Sequence, residues 1–186
     1  MRKGYIVISQ SGSIISKCIQ VKTKKDFNHC SFSLDPNISV MYSMGRIFPN
    51  NPLIGGLVAE KPNYGTYKKF YNTVCVVIEI PLNDNQYLQI QSELLEMYSD
   101  KRSYSYNYAG LLLGAFGINV KREDAFMCSE FVRHILEAGQ VDVSFLPAIP
   151  HPMDFLNIQN GKVVYEGRFN DLGKKSLLSS NFGRIV

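Results

Sequence analysis

Residues 72–80 constrain the fold of this chain more than any other segment, because they predict a strand that is apolar on both faces. Successive side chains of a strand point to opposite sides of the sheet. One side of this strand carries Val74, Val76 and Ile78, and the other carries Cys75, Val77 and Glu79. Both sides must therefore be covered, which predicts a strand inside the sheet. Pro81 is expected to end it, because proline cannot donate an inter-strand hydrogen bond.

The other predicted elements follow no internal repeat. An amphipathic helix is expected at residues 83–97, with Tyr87, Ile90, Leu94 and Met97 on one face. Residues 49–67 are rich in proline, glycine and asparagine, which predicts a loop with a short strand near residues 56–60. Further strands are expected at residues 4–8, 27–34, 40–47 and 162–165, the second and third forming a hairpin, and further helices at residues 14–21, 104–116 and from Asp154. This mixed order predicts a single α+β domain across residues 1–186.

Composition and charge exclude several classes of protein. The 186 residues carry a formal net charge of +4, which is too small to indicate a nucleic-acid-binding protein. No apolar run approaches the roughly 18 residues that indicate a membrane span. The chain begins with a short apolar run that is typical of a strand rather than a signal peptide, so a cytoplasmic protein is expected. The four cysteines form no CxxC pair, and no metal or other cofactor is expected.

Residues 126–136 predict a helix whose first turn carries Cys128. Phe131, Ile135 and Leu136 are spaced to form one apolar stripe, flanked by Val132. The first turn of a helix has N–H groups without intrahelical partners and the positive end of the helix dipole, which favour a thiolate. Two interpretations follow for Cys128: a nucleophile that attacks a carbonyl carbon, or a small buried residue at the start of a helix.

A nucleophilic cysteine needs a base, and the chain contains three histidines. His134 lies about 1.7 helical turns after Cys128, so the two side chains point to different faces. His151 lies between two prolines, in a predicted surface loop. His29, on a predicted strand, remains as the candidate base. The alternative for His29 is a partly buried strand residue without a catalytic role.

Cys30 is the competing nucleophile because it is next to His29 in the sequence. Adjacent strand residues point to opposite faces, so Cys30 is not expected to use His29 as its base. Cys30 also lacks a helix terminus that would lower its pKa. The same divergence of neighbouring side chains disfavours a metal site made of His29, Cys30 and Cys128.

Three short stretches occur in an order that is typical of one hydrolase family. They are Gly4-Tyr5-Ile6-Val7-Ile8-Ser9, Phe27-Asn28-His29-Cys30-Ser31-Phe32 and Phe126-Met127-Cys128-Ser129-Glu130-Phe131-Val132. With the histidine strand before the cysteine helix, the chain resembles the circularly permuted YiiX/YebB-like branch of the NlpC/P60 superfamily of papain-like cysteine hydrolases. The Cys-Ser-Glu-Phe-Val stretch is the most specific part of the resemblance. Tyr5 departs from it, since the family usually has Asp there, and Cys30 stands where Val is more usual.

The resemblance implies a papain-like fold, an antiparallel sheet packed against helices, with Cys128 as nucleophile and His29 as general base. A polar residue on the strand after His29 would orient the imidazole. By spacing, this residue is Ser43, with Tyr42 as the alternative. Glu60, the nearest later carboxylate, is a further alternative that could fold back to this position, but a charged loop residue is the favoured interpretation.

The implied activity is that of a thiol hydrolase of the amidase or cysteine peptidase type, which cleaves an amide or ester through an acyl-enzyme. The implied substrates are a peptide, a peptidoglycan fragment, or an acyl amide or ester. A lipid acyl hydrolase or acyltransferase is a related alternative. Because Ser43 supplies no negative charge, a non-catalytic binding or scaffold protein that retains the fold is a further alternative.

Overall fold

A computed structural model of the chain describes residues 1–10, 27–108 and 124–172, apart from the side chain of Pro52. The strands are β1 (Arg2–Gln10), β2 (His29–Ser33), β3 (Met41–Phe48), β4 (Asn51–Glu60), β5 (Val74–Leu82), β6 (Ser105–Tyr106), β7 (Ala125–Phe126) and β8 (Lys162–Arg168). The helices are α1 (Gly65–Lys69), α2 (Asp84–Ser99) and α3 (Cys128–Ala138), with 3₁₀ turns at Pro152–Asn157 and Phe169–Asp171.

The strands form one sheet in the order β7-β6-β4-β3-β2-β1-β5-β8. Neighbouring strands are antiparallel except β6 and β7, which are parallel. Strands and helices are thus mixed along the chain, and the predicted α+β class is confirmed. The strand that begins with His29 lies between β1 and β3, well inside the sheet.

Apolar side chains cover both faces of the sheet. Buried residues of α2 and α3 pack on one face. Tyr67 and Phe169 cover the other face, where their rings stack with centroids 3.5 Å apart. Strand β5 contributes Val76 and Ile78 to the first core and Cys75 and Val77 to the second. The prediction of an internal strand with two buried faces is therefore confirmed.

Helices α2 and α3 pack closely on the sheet. The predicted amphipathic helix is confirmed as α2, in which Ile90, Leu94 and Met97 are buried. Asn83 caps it by accepting a hydrogen bond from the Gln86 N–H at 2.8 Å. Gly139 follows α3 at a point where an added Cβ would lie 2.4 Å from Ile90 Cγ1. Only glycine fits this approach without displacing α2.

Residues 49–67 differ from the predicted loop, because they contain the ten-residue strand β4 and helix α1. The turn consists only of Pro49 and Asn50, and the pairing of β3 with β4 begins at Phe48 and Asn51. The glycines at positions 55 and 56 lie inside β4, where neighbouring side chains and backbone approach closely. Glycine content was therefore a sign of close strand packing here rather than of a loop.

Two further predictions were wrong about element ends. Pro81 does not end β5 but pairs with Lys3 of β1. Among the described residues, β8 pairs with β5 only as far as Glu79, so the missing N–H of Pro81 leaves no inter-strand bond unmade on that side. Residues 105–106 form β6 rather than the start of a helix, because they pair with β4 and β7. The remainder of that predicted helix, from residue 109, and the predicted helix at residues 14–21 lie outside the described residues.

The C-terminal predictions agree more closely with the structure. The strand expected at residues 162–165 is present as β8, which lies at one edge of the sheet. The helix expected from Asp154 is a 3₁₀ turn at Pro152–Asn157. Among the helices that the structure describes, none combines the length and the apolar character that a membrane crossing requires.

Candidate active site

Helix α3 holds Cys128 at its first residue, directly over the sheet. The Glu130 carboxylate accepts a hydrogen bond from the Met127 N–H at 2.8 Å, which closes the start of the helix. The Ser129 hydroxyl donates to the Pro150 carbonyl at 2.6 Å and fixes the first turn to a neighbouring loop. The predicted apolar stripe is confirmed, since these residues are all buried: Phe131, Val132, Ile135 and Leu136. Cys128 is therefore held by a rigid element.

Two side chains of β2 meet the sulfur of Cys128. His29, the first residue of β2, and Cys30, the second, both lie close enough to the Cys128 thiol to lower its pKa. Cys128 is only 5% exposed, and Cys30 is fully buried. The structure thus brings together the cysteine and the histidine that the sequence singled out. It also places Cys30 beside them, although Cys30 follows His29 on the same strand.

The imidazole of His29 is held by the carboxylate of Glu60. His29 Nε2 lies 3.1 Å from Oε1 and 3.2 Å from Oε2 of Glu60. Glu60 ends β4 and pairs with Met41 of β3, so its carboxylate crosses the start of β3 to reach β2. Glu60 therefore engages the imidazole through Nε2, and the same ring interacts with the Cys128 thiol. The arrangement is a carboxylate–imidazole–thiol chain, and we call Cys128, His29 and Glu60 the triad.

A polar network on the sheet holds the Glu60 carboxylate in place. The Ser31 hydroxyl donates to Glu60 Oε2 at 2.6 Å. The Tyr67 hydroxyl donates to the same oxygen at 3.4 Å and lies 3.5 Å from the hydroxyl of Ser9. A buried carboxylate needs such donors, because leaving its oxygen atoms without partners costs several kcal/mol. The network therefore fixes the acceptor that orients His29.

The expected third residue, Ser43, does not occupy the orienting position. The structure pairs His29 with Glu60 instead, and Glu60 is not a charged loop residue but a strand residue whose side chain is 10% exposed. Ser43 is buried beside Glu60 and helps to keep the pKa of that carboxyl low. Tyr42 packs against the core that contains Cys128, with its ring centroid 5.2 Å from that of Tyr98. Sequence reasoning also missed Ser31 and its bond to Glu60.

All three members of the triad have pKa values that are shifted from the usual ones. Contact with the Cys30 thiol lowers the pKa of Cys128 well below its usual value, and the neighbouring His29 adds to this effect against the cost of burial. Burial opposes a charge on His29, but Glu60 and Cys128 raise the pKa of His29 to about 10. Burial likewise opposes a charge on Glu60, yet His29 and Ser31 bring the pKa of Glu60 below its usual value. These shifts favour a thiolate, an imidazolium and a carboxylate in the triad.

The other two histidines have different partners. His134 Nε2 lies 2.7 Å from Glu93 Oε1, so this side chain links α3 to α2. His151 precedes a 3₁₀ turn, and its Nδ1 accepts a hydrogen bond from the Met153 N–H at 3.3 Å. Both observations agree with the assignment of His29 as the base. Within the described ranges, no three His, Cys, Asp or Glu side chains are arranged to hold a metal ion.

A groove beside the triad carries an excess of positive charge. Its volume is about 840 Å³, Glu60 forms part of its wall, and it follows β4 between α1 and the segment after α2. Tyrosine rings and four cationic side chains line it: Tyr64, Tyr98, Tyr104, Arg46, Lys61, Lys101 and Arg102. None of the four cations forms an ion pair with a carboxylate in the part of the chain that the structure describes. The groove is thus suited to an anionic ligand.

No family model and no curated protein matches this chain. Its chemistry must therefore be inferred from the arrangement of its own residues.

Proposed function

We propose that this protein is a cysteine hydrolase with a papain-like fold, which cleaves an amide or an ester through an acyl-enzyme. The observation that carries the proposal is the triad, in which a thiol at a helix start contacts an imidazole that a buried carboxylate holds. This is the arrangement that nucleophilic catalysis needs: a nucleophile, a base, and a third group that orients the base. Cys128 is the nucleophile, His29 the general acid and base, and Glu60 the orienting residue.

The reaction follows from the charges in the triad. The Cys128 thiolate attacks the carbonyl carbon, and the oxyanion that forms accepts a hydrogen bond from the N–H of Cys128, which has no acceptor within α3. The His29 imidazolium donates its proton to the departing amine or alcohol. A water molecule then attacks the acyl-enzyme while neutral His29 takes its proton, which releases the acid and restores the thiolate.

The positions of the family-like stretches support a papain-like fold of the permuted NlpC/P60 type. They lie on β1, β2 and the start of α3, and β1 pairs with β2. A cysteine helix packed on an antiparallel sheet that carries the histidine is the arrangement the resemblance implies. The scaffold alternative rested on a third residue without charge, and Glu60 supplies a carboxylate at that position. This favours the enzyme over the scaffold.

Thiol labelling tests the proposed nucleophile without any knowledge of the substrate. Iodoacetamide is expected to modify Cys128 before the buried Cys30 and Cys75, whose pKa values burial raises. Because the pKa of Cys128 is well below its usual value, its labelling rate should fall less between pH 8 and pH 6 than that of a thiol of ordinary pKa. Peptide mass mapping after short reaction times measures this rate.

The variant His29→Ala provides the comparison. Without the imidazolium, the labelling rate of Cys128 should fall more steeply with decreasing pH, approaching about tenfold per pH unit for a thiol of ordinary pKa. If wild-type Cys128 already shows that steep dependence, its thiol is not activated and the proposed nucleophile is wrong.

The groove predicts a substrate that carries negative charge near the cleaved bond. With matched fluorogenic peptide amides, acyl esters and a peptidoglycan stem peptide as probes, acidic members are expected to be cleaved with lower KM than neutral analogues. Lys101→Glu combined with Arg102→Glu should raise KM for an acidic substrate by about tenfold or more and leave kcat nearly unchanged, because neither side chain belongs to the triad.

Lys162→Glu is the matched control for charge. Lys162 is exposed on β8, at the far edge of the sheet from β4, and the same reversal there should leave KM unchanged. An equal rise in KM for acidic and neutral substrates in the double variant would contradict a role for the groove in charge recognition.

A further inference from the structure

Cys30 forms and breaks no bond in the hydrolytic steps, although its thiol helps to lower the pKa of Cys128. The triad already supplies the nucleophile, the base and the orienting carboxylate. Cys30 nevertheless lies against the sulfur of Cys128, because α3 packs on β2 with its first residue over the second residue of the strand. Two thiols in contact, one of them ionised, are the starting arrangement for a disulfide.

The remaining described cysteine has a different environment. Cys75 lies in the core on the other face of the sheet, whereas Cys30 and Cys128 share the core under α3. Of the three cysteines that the structure describes, only Cys30 and Cys128 are therefore close to each other. Of these three thiols, Cys128 is also the one whose pKa is lowered, which favours the thiolate, the form that peroxides oxidise.

We propose that Cys128 and Cys30 form a site of reversible oxidation, in which a hydroperoxide converts Cys128 to a sulfenic acid and Cys30 then closes a disulfide with it. This modification would switch off the nucleophile and protect it from irreversible oxidation. It requires only the reactive thiolate and would occur in the absence of any hydrolase substrate.

In the first step the Cys128 thiolate attacks one oxygen of the peroxide. An S–O bond forms and the O–O bond breaks, so sulfur is oxidised by two electrons and the peroxide is reduced. The departing hydroxide takes a proton from the His29 imidazolium and leaves as water. A hydroperoxide of low molecular weight is the co-reactant, and its small size suits a sulfur atom that is only 5% exposed.

In the second step the sulfur of Cys30 attacks the sulfenic sulfur of Cys128. An S–S bond forms, the S–O bond breaks, and the hydroxyl group leaves as water with the proton of Cys30. Burial raises the pKa of Cys30 in the reduced protein, and the charge on Cys128 raises it further. Oxidation removes that charge, so Cys30 loses its proton more easily once the sulfenic acid exists. A dithiol reverses the reaction by thiol–disulfide exchange and is itself oxidised.

The test uses the full chain and hydrogen peroxide as the probe. Wild-type protein is treated with increasing peroxide, its remaining thiols are alkylated, and non-reducing peptide mass mapping is performed. We expect loss of free thiol at Cys30 and Cys128 together and a linked peptide pair containing both residues. Treatment with dithiothreitol should restore both thiols and the rapid alkylation of Cys128.

Two variants separate resolution by Cys30 from general oxidation. In Cys30→Ser, we expect at least about tenfold more sulfinic acid at Cys128 for the same peroxide dose, with no recovery by dithiothreitol. Cys75→Ala should still form the Cys30–Cys128 link. The proposal is overturned if wild-type Cys128 proceeds to sulfinic acid without a linked peptide, even though its alkylation is fast. Such a result does not contradict the proposed hydrolase activity. A linked peptide in a protein without hydrolase activity would support the oxidation site and contradict the proposed hydrolase activity.

Discussion

Replacing Cys128 with alanine is expected to abolish hydrolysis while the protein still folds. Removing the nucleophile eliminates the acyl-enzyme pathway, and a loss of at least about 10⁴-fold in kcat/KM is expected because the remaining groups act only through it. Folding should survive, since α3 is held by its apolar stripe and by bonds that do not involve the thiol. Hydrolysis rates on the substrate panel and far-UV circular dichroism measure the two outcomes.

Cys128→Ser and Cys75→Ala are the controls for this experiment. Serine keeps the size of the side chain, but its hydroxyl does not ionise in this site, so activity should remain lost. Cys75→Ala removes a buried thiol from the opposite core and should retain the full pH dependence of activity. A Cys128→Ala protein that keeps a tenth or more of wild-type activity would exclude Cys128 as the nucleophile.

Replacing Glu60 with glutamine has the second largest expected effect. The amide keeps the shape of the side chain but removes the charge that holds the His29 imidazolium. Loss of a carboxylate at this distance should lower the pKa of His29 from about 10 by roughly 1–3 units. The alkaline limb of the pH–rate profile should move down by the same amount, and kcat should fall by about 10²-fold or more because the ring is no longer oriented.

The comparison for Glu60→Gln is Ser43→Ala, at the position that the sequence favoured. Ser43 does not contact the imidazole, so its replacement should change the alkaline limb far less than the replacement of Glu60. If Ser43→Ala moves this limb and Glu60→Gln does not, then Ser43 rather than Glu60 positions the base.

The same charges predict how the stability of the wild-type protein depends on pH. The pKa of His29 is raised from its usual 6.5 to about 10, so its contribution to the free energy of unfolding is complete below pH 6.5 and is lost as the pH rises through 10. The pKa of Glu60 is lowered from its usual 4.5, so its contribution is complete above pH 4.5 and is lost in more acidic solution. Urea unfolding of wild-type and Glu60→Gln proteins across this range should give a difference that is largest between pH 4.5 and 6.5.

The parts of the site that sequence reasoning located are those with a local signal. Helix α3 has a 3.6-residue apolar pattern, and a thiol at its first residue is visible without any knowledge of the fold. His29 followed because His134 and His151 could be assigned to other positions by spacing and by flanking prolines. The internal strand β5 was recognised from its two apolar faces, and both faces are buried.

Glu60 was considered but not favoured as the third residue, because its role depends on a strand that carries a weak signal. Glycines and a proline in residues 49–67 indicated a loop, so the register between β3 and β4 was not considered. A tight turn at Pro49 and Asn50, together with a register shift between Arg46 and Phe48, places Glu60 opposite Met41. The bond from Glu60 to His29 is then made across β3, which is tertiary information that no local pattern contains.

The fold also determines when the thiol of Cys128 acquires its lowered pKa. Cys30 and His29 lie on one strand, whereas Cys128 lies on a helix far along the chain. During synthesis, Cys128 emerges about a hundred residues after His29 and nearly seventy after Glu60. Its ordinary thiol pKa persists until α3 docks on β2, because only docking supplies its contacts with Cys30 and His29. Unfinished chains therefore carry a thiol of ordinary reactivity, and its lowered pKa appears only after α3 has packed against β2.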